Sequence, residues 1–252
     1  MVKKKIFYWS PFIDYVGTKI SSKNSIISLS KFGKEEFSIT VFNVVGEWNY
    51  YLEQLKKSNI EVINLGINKK IPFLKKKGFL FSRILYLKIF FLSFVPLLKI
   101  LRDKKPDFLV LSLVTFVPLI INYLFKIKTT VILRISGFPK LTPLRLFFWR
   151  TVLSKVEWVF SPTNNTNDLL KKKFPSHANK IKFIRDPIFS YEELIGMKGK
   201  YVRNFKRKNF YLAVGRLTKQ KNFKSLVTAV QKYNLQSKKK INVLVIGDGE
   251  EK

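Results

Sequence analysis

The sequence predicts an α/β protein built on a parallel sheet, and three observations carry that expectation. Short apolar runs rich in β-branched and aromatic residues alternate with longer stretches of helical periodicity along all 252 residues. Successive strands are separated by connections long enough to hold a helix, which suits parallel pairing. Polar, glycine-bearing loops follow several strands, at the carboxyl ends where such sheets bind ligands. Those loops are Gly17-Thr18-Lys19, Arg134–Gly137 and Gly215–Lys221.

The elements follow in order. KKIFYWS (4–10) is a first strand, then a loop with Gly17, then a helix capped by Ser21 or Ser22 and running to about Lys31. FSITVFNV (37–44) is a strand, WNYYLEQLKKSN (48–59) a helix and IEVINLG (60–66) a third strand. An apolar helix covers 79–103, and KPDFLVLS (105–112) is the strand after it. Phe108 to Phe125 is an uncharged run of eighteen, nominally long enough to cross a bilayer. Splitting it into a strand, a turn at Thr115 and a helix beginning near Pro118 preserves the rhythm on both sides, since proline is tolerated in a first helical turn. TTVILRI (129–135) and EWVFS (157–161) are strands around the helix TPLRLFFWRTVLSK (142–155), with Pro143 near its start. Thr163 caps the helix TNNTNDLLKKKF (163–174), and KIKFIRDPI (180–188) is a strand ended by proline.

Residues 1–188 therefore form one domain. Residues 189–208 lack periodicity, hold two glycines and many charges, and read as a linker. From 209 to 252 a strand (209–214), a helix (222–235) and a strand (INVLVIG, 241–247) make only the opening of a second domain.

Composition excludes several chemistries. There is no cysteine, so no disulfide, thiolate metal site or cysteine nucleophile; the single histidine, His177, excludes a histidine cluster. The formal charge is +32, which favours anionic partners. Yet 39 of the 48 cations are lysine, and the accompanying abundance of Phe, Ile and Asn fits an AT-rich coding sequence. Charge alone therefore selects no partner. A nucleic-acid reading rests only on that charge, without an RNP-like strand, zinc finger or recognition helix. The opening MVKKKIFYWSPF has too short an apolar run for a signal peptide, so a cytoplasmic location is expected.

The apolar helix of 79–101 is interrupted by Arg83, Lys88 and Lys99 and preceded by the lysine cluster Lys69–Lys77. That pairing suits the interface of an anionic membrane. An ordinary core helix beside a solvated basic loop is the alternative. In YLAVGRLTKQKNFKSLVTAV (211–230), an apolar strand breaks at Gly215 and passes through Arg216, Lys219 and Lys221 before a helix begins. Cations at a helix N-terminus oppose its dipole, so an anionic ligand is the natural complement.

With these pieces in order, the sequence resembles a family 4 glycosyltransferase of the GT-B type. The residues that carry the likeness are DYVGTKIS, PDFLVLS, LRISGFPKLTPLR, SPTNNT, IRDPI, AVGRLTKQKNF and VLVIGDGEE. The most specific is G-R-L-x-x-x-K after a strand, followed about thirty residues later by VIGDG. The resemblance implies a GT-B-like fold: a complete N-terminal Rossmann-like domain plus the opening β-α-β of a second. It implies transfer of a hexose, with retention, from a UDP- or GDP-sugar to a cell-envelope polysaccharide or lipid-linked acceptor. The expected setting is the inner face of the cell membrane, with an anionic membrane surface as a partner and with no cofactor or metal.

By the same resemblance Arg216 and Lys221 bind the donor diphosphate, a role that suits a bidentate guanidinium and a compact ammonium. Gly17 is the N-domain glycine whose backbone approaches the phosphates; a plain turn glycine is its alternative. Gly215, Gly247 and Gly249 border the nucleotide pocket, and Asp248 shapes that turn. Thr18, Lys19, Arg134, Ser136 and Gly137 lie on the acceptor side, although Arg134 would serve equally as a structural ion-pair partner. Lys219 is a surface cation. No catalytic residue is assigned, because the histidine many relatives carry after the strand matching FLVLS is absent and His177 is expected to be solvent-exposed. The acidic E-x7-E motif expected beyond the G-D-G turn has no counterpart before Lys252. The expectation is thus a truncated chain, inactive by itself, with a non-catalytic remnant or membrane- or acceptor-binding module as the alternative.

Overall fold

Strands alternating with helix-length crossovers imply a parallel sheet covered on both faces, and the structure, a computed structural model, has one. It describes residues 2–11, 17–67, 79–112, 116–139, 141–189, 191–198 and 209–252. The expected turn at Thr115, the Lys69–Lys77 cluster and residues 199–208 lie outside the described residues. The strands are β1 (Lys4–Trp9), β2 (Phe37–Asn43), β3 (Glu61–Asn64), β4 (Phe108–Ser112), β5 (Thr130–Arg134), β6 (Trp158–Ser161) and β7 (Ile181–Phe183). All pair in parallel, in the order β3-β2-β1-β4-β5-β6-β7. The helices are α1 (Gly17–Phe32), α2 (Leu52–Lys57), α3 (Phe79–Lys104), α4 (Phe116–Phe125), α5 (Pro143–Lys155) and α6 (Asn164–Lys173).

Alternate residues of each strand feed two cores. Phe7, Trp9, Leu109, Leu111, Val131 and Leu133 pack with α3 to α6, whereas Ile6, Tyr8 and Val110 pack with Ile26 of α1 and Leu55 of α2. Both faces being dry explains why the strands read as nearly continuous apolar runs. On α3 the buried residues Leu85, Ile89, Ser93, Leu97 and Leu101 recur every fourth position and form one stripe against the sheet. Ser93 satisfies its hydroxyl locally by donating to the carbonyl of Ile89 at 2.6 Å.

Local signals set most boundaries. Thr163 has extended backbone geometry and accepts from the Thr166 amide at 3.2 Å, so the predicted cap of α6 is present. Pro143 opens α5. Other boundaries shift. The long uncharged run does divide into β4 and α4, but α4 starts at Phe116, leaving Pro118 still within the first turn, where no amide donor is needed. Residues 49–51 form a 3-10 turn leading into the short α2. α1 begins at Gly17, not at a serine cap: Ser21 and Ser22 are buried within the helix, Ser21 Oγ donating to Thr18 O one turn back at 3.1 Å and Ser22 Oγ lying 3.5 Å from Ser112 Oγ.

The chain divides into two compact units, Met1–Gly196 and Met197–Lys252. The boundary falls in the stretch read as a linker, where α7 (Tyr191–Met197) also lies. The second unit holds β8 (Tyr211–Val214), α8 (Phe223–Gln236) and β9 (Val243–Ile246), with β8 and β9 parallel and Val214 level with Ile246. A Rossmann-like parallel sheet followed by the opening β-α-β of a second is thus the architecture of this chain.

Candidate functional site

In the second unit, the turns after β8 and β9 are built as one backbone assembly. Gly215 donates its amide to Ile246 O at 3.0 Å, Leu217 to Asp248 O at 3.0 Å, and Glu251 to Leu217 O at 3.0 Å. This close approach explains the two glycines of the G-D-G turn. A Cβ on Gly247 would stand 1.9 Å from Gly215 O, and one on Gly249 would stand 2.2 Å from Leu217 O. Gly215 is less constrained, since its Cβ would meet the Phe223 ring at 3.3 Å.

Beyond Leu217 the chain turns tightly, with the amides of Lys221 and Asn222 bonded to Thr218 O at 2.9 and 3.1 Å. Asn222 precedes α8 in the left-handed region (φ 52°). Its side chain does not cap the helix and instead accepts from Ser225 Oγ at 2.9 Å. The first turn of α8 holds no acid. Arg216, Lys219 and Lys221 are all exposed, and among the described residues none has an acidic partner. A helix start without a side-chain cap, preceded by free cations on a hydrogen-bonded turn, is a chemically reasonable phosphate cradle. The geometry does not by itself separate Lys221 from Lys219.

In the first unit the candidate residues gather at the carboxyl edge of the sheet. β1 and β4 are neighbours whose connections run in opposite directions, which makes their carboxyl ends the switch point. Three serines meet the ends of these strands: Ser10 just past β1, Ser112 closing β4, and Ser22 on α1. Ser22 Oγ and Ser112 Oγ are 3.5 Å apart, and Ser10 Oγ is buried with no hydrogen-bond partner among the described residues. Gly17 and Thr18 stand in the first turn of α1, so the expected loop is a helix start at these positions. A Cβ on Gly17 would meet nothing within 4 Å, so no described part of the protein demands glycine there.

Lys19 is buried, with its ammonium 5.6 Å from the centre of the Tyr51 ring. Burial pulls its pKa down and the charge of Glu47 opposes that shift. Glu47 itself is buried in the turn after β2, where its two carboxyl oxygens accept from the amides of Val44 at 3.1 Å and Val45 at 2.7 Å. Burial raises its pKa to about 7, and the two amide bonds and Lys19 only partly counteract it.

Arg134 closes β5 and is nearly buried. Its Nε and one terminal nitrogen donate to Asp186 Oδ1 at 3.1 and 2.5 Å. Asp186 Oδ2 also accepts from Ser21 Oγ at 3.4 Å, and Asn24 Nδ2 donates to the carbonyls of Pro187 and Ile188, each at 3.1 Å. α1 thus fastens the segment after β7, and the ion-pair alternative for Arg134 is the arrangement observed. Its other terminal nitrogen is buried without a partner among the described residues. Ser136 and Gly137 are exposed just past β5, with Gly137 at φ +156°. His177 is half-buried rather than exposed, beside Ser176 Oγ at 3.0 Å. It sits in the turn that leads into β7, at the amino edge of the sheet and away from these residues.

Sequence reasoning missed Ser10, Ser22, Ser112, Glu47 and Asp186 as members of this edge. The only available signal was polar residues closing or following apolar strands, as in YWSP, FLVLS and IRDP.

A sequence model of the family described as "Glycosyl transferases group 1" matches residues 200–252. None of the curated protein sequences matches the chain. Among solved structures, the chain is similar to a glycosyltransferase from Rickettsia africae ESF-5, at TM-score 0.57 and 15% identity, covering 99% of this chain and 69% of that one. It is similar to a UDP-GlcNAc 2-epimerase from Neisseria meningitidis bound to UDP-GlcNAc, at TM-score 0.59 and 14% identity, covering 96% and 64%. It is also similar to the lipopolysaccharide outer core galactosyltransferase WaaB, at TM-score 0.54 and 12% identity, covering 98% and 62%. The chain therefore spans less than two thirds of the length of the last two, and likeness at such identity establishes the fold.

Proposed function

We propose that this chain is the acceptor-side unit and the start of the donor-side unit of a nucleotide-sugar-dependent glycosyltransferase of family 4, with Arg216 and Lys221 as its diphosphate ligands. One observation carries the reading: the hydrogen-bonded turn after β8 presents those exposed cations ahead of α8 in the segment matched by the glycosyl transferases family. The fold alone would suit an epimerase equally well, as the Neisseria enzyme illustrates. The matched segment favours transfer.

In the proposed reaction the acceptor hydroxyl oxygen bonds to the anomeric carbon as the bond from that carbon to the diphosphate oxygen breaks. The hydroxyl proton passes to the departing phosphate, and the configuration is retained. No protein base is required. Arg216 and Lys221 neutralise the charge that grows on the leaving diphosphate, which lowers the barrier because fixed cations need little reorganisation. Gly215, Gly247 and Gly249 shape the nucleotide side, and Gly17 leaves room for a phosphate or sugar to approach the start of α1. A UDP- or GDP-sugar as donor and a cell-envelope glycan or lipid-linked acceptor, handled at the cytoplasmic membrane face, are the partners that fit. The named ligand of the Neisseria structure and the named activity of WaaB support that choice.

Calorimetric titration with UDP, GDP and their sugars tests the reading. Saturable binding is expected, weakened about tenfold or more by Arg216→Ala or Lys221→Ala, as loss of a charge-assisted contact should. Lys219→Ala should leave it unchanged. Equal weakening by all three variants would reduce the site to diffuse charge. A chain that binds no nucleotide would favour the second reading, a non-catalytic acceptor- or membrane-binding module, which draws support from the exposure of the described residues of the second unit.

A further inference from the structure

We propose that Glu47 is a proton-operated latch between the turn after β2 and the first turn of α1, so that the carboxyl edge of the first unit changes form near neutral pH. The turn is closed by its own side chains. Asn43, the last residue of β2, accepts from the Trp48 amide at 3.1 Å and donates to Asn49 Oδ1 at 2.8 Å and Asn64 Oδ1 at 2.5 Å. Gly46 makes the bend, with φ 84°. Inside it, one Glu47 oxygen accepts from the Val44 amide and the other from the Val45 amide.

This pattern belongs to the ionised carboxyl. A carboxylate accepts at both oxygens, whereas the protonated group carries a donor O–H on one of them. Protonation therefore weakens the acceptor for Val44 or Val45 and brings another donor into the turn. Val44, Val45 and Glu47 are all buried, and a buried donor without an acceptor is costly, so the turn has to shift to satisfy it. Burial drives the carboxyl toward the protonated form, while the amides and Lys19 favour the ionised one. The balance falls at about pH 7, where a modest change in proton concentration selects between the two arrangements.

The latch reaches α1 through Lys19. Lys19 is buried; burial pulls its pKa down, and the charge of Glu47 opposes that fall. The ammonium groups of Lys19 and Lys23, one turn further along α1, lie over the same Tyr51 ring at 5.6 and 5.3 Å. Tyr51 ends the 3-10 turn that follows Glu47, so α1 and the β2 turn meet around this ring. Among the described residues, Lys19, Lys23 and Tyr51 are the ionisable groups that these elements bring to the latch. With Glu47 ionised, its attraction for Lys19 holds the first turn of α1 against the closed β2 turn. With Glu47 protonated, that attraction is lost. Glu47 is thus a positioning residue for Lys19 and, through it, for Gly17 and Thr18. The inference concerns the first unit alone and stands whether or not the second binds a nucleotide.

Amide chemical shifts of the full chain, followed from pH 5 to 8.5, test the latch. Val44, Val45, Gly17, Thr18 and Lys19 should share one transition with its midpoint at about pH 7. Glu47→Gln should abolish it and hold the first turn of α1 near its low-pH shifts, because a carboxamide pairs one acceptor with one donor group. Glu47→Asp should restore a transition, at a moved midpoint. Lys19→Met should raise the midpoint at Val44 and Val45, since the carboxylate loses its cation, and should uncouple Gly17 and Thr18 from it. His177→Gln should change nothing, because His177 sits at the amino edge. The absence of a common transition in the wild-type chain would overturn the proposal. So would a transition at Val44 and Val45 that Gly17 to Lys19 do not follow, one that survives in Glu47→Gln, or one that disappears in His177→Gln.

Discussion

In β4 of the first unit Leu109 and Leu111 are 1% and 0% exposed, whereas in β8 of the second Tyr211, Leu212 and Val214 stand at 66, 58 and 68%. Both strands are short, apolar and paired in parallel, and a helix follows each. β4 has a neighbour on either edge and helices on both faces, while among the described residues of its unit β8 has β9 on one edge and a single helix, α8. Hydrogen bonding among the turns of one strand–helix–strand is enough to define the candidate phosphate turn. Burial comes only from further layers, so the same motif is core in one unit and surface in the other.

The sharpest way to test that contrast is truncation. Trp9→Ala or Leu111→Ala should destabilise the first unit by about 3 to 5 kcal/mol in chemical denaturation, the usual cost of a large core cavity. Leu212→Ala should change little, under about 0.5 kcal/mol, as an exposed substitution. Comparable losses would show that β8 is as well packed as β4.

Removing one partner of the Arg134–Asp186 pair comes next. Asp186→Ala should cost about 3 kcal/mol, because the guanidinium is left nearly buried without its carboxylate. The exposed pair Lys34–Glu35 should contribute nothing measurable when cut by Glu35→Ala.

Glu47 gives the first unit a pH response. Its carboxyl stays protonated to about pH 7 when folded, against an ordinary value of 4.5, so the folded chain binds the extra proton between those values. Stability should be fullest below about pH 4.5 and fall by about 3 kcal/mol as pH rises through 7. Glu47→Gln should flatten that slope in denaturation curves from pH 4 to 8. An unchanged slope would assign it to another group.

The smallest expected effects distinguish two glycines. Gly249→Ala must displace the Leu217 backbone, so amide shifts should spread across residues 215–221 and nucleotide binding should weaken. Gly17→Ala meets open space on a helix and should stabilise by up to about 1 kcal/mol through helix propensity. If Gly17→Ala nevertheless impairs nucleotide binding, the glycine answers to a ligand and not to the fold.

Much of this was legible in sequence for reasons of range. Thr163 and Pro143 act within four residues of their own position, and the apolar periodicity of α3 repeats along one helix. The carboxyl-edge cluster was not legible. Arg134 and Asp186 are 52 positions apart, Ser22 and Ser112 are 90 apart, and no local pattern links them. Ser21 and Ser22 misled because serine is a favoured cap, and here Ser21 Oγ donates to Thr18 O at 3.1 Å within its own turn and lies 3.4 Å from Asp186, while Ser22 faces Ser112.

By itself the sequence determined the order of the strands and of the helices α1 to α6 and α8, though not α7 or the 3-10 turn at 49–51. It also determined the cationic turn at Arg216 to Lys221, because each of these depends on residues close together along the chain. The parallel pairing followed from the length of the crossovers. Tertiary structure alone decided that Gly247 and Gly249 make room for another loop's backbone, that Arg134 belongs to Asp186, and that α3 has two apolar sides of which, among the described residues, one is covered. Those outcomes depend on which surfaces meet, and that is settled by packing between distant segments.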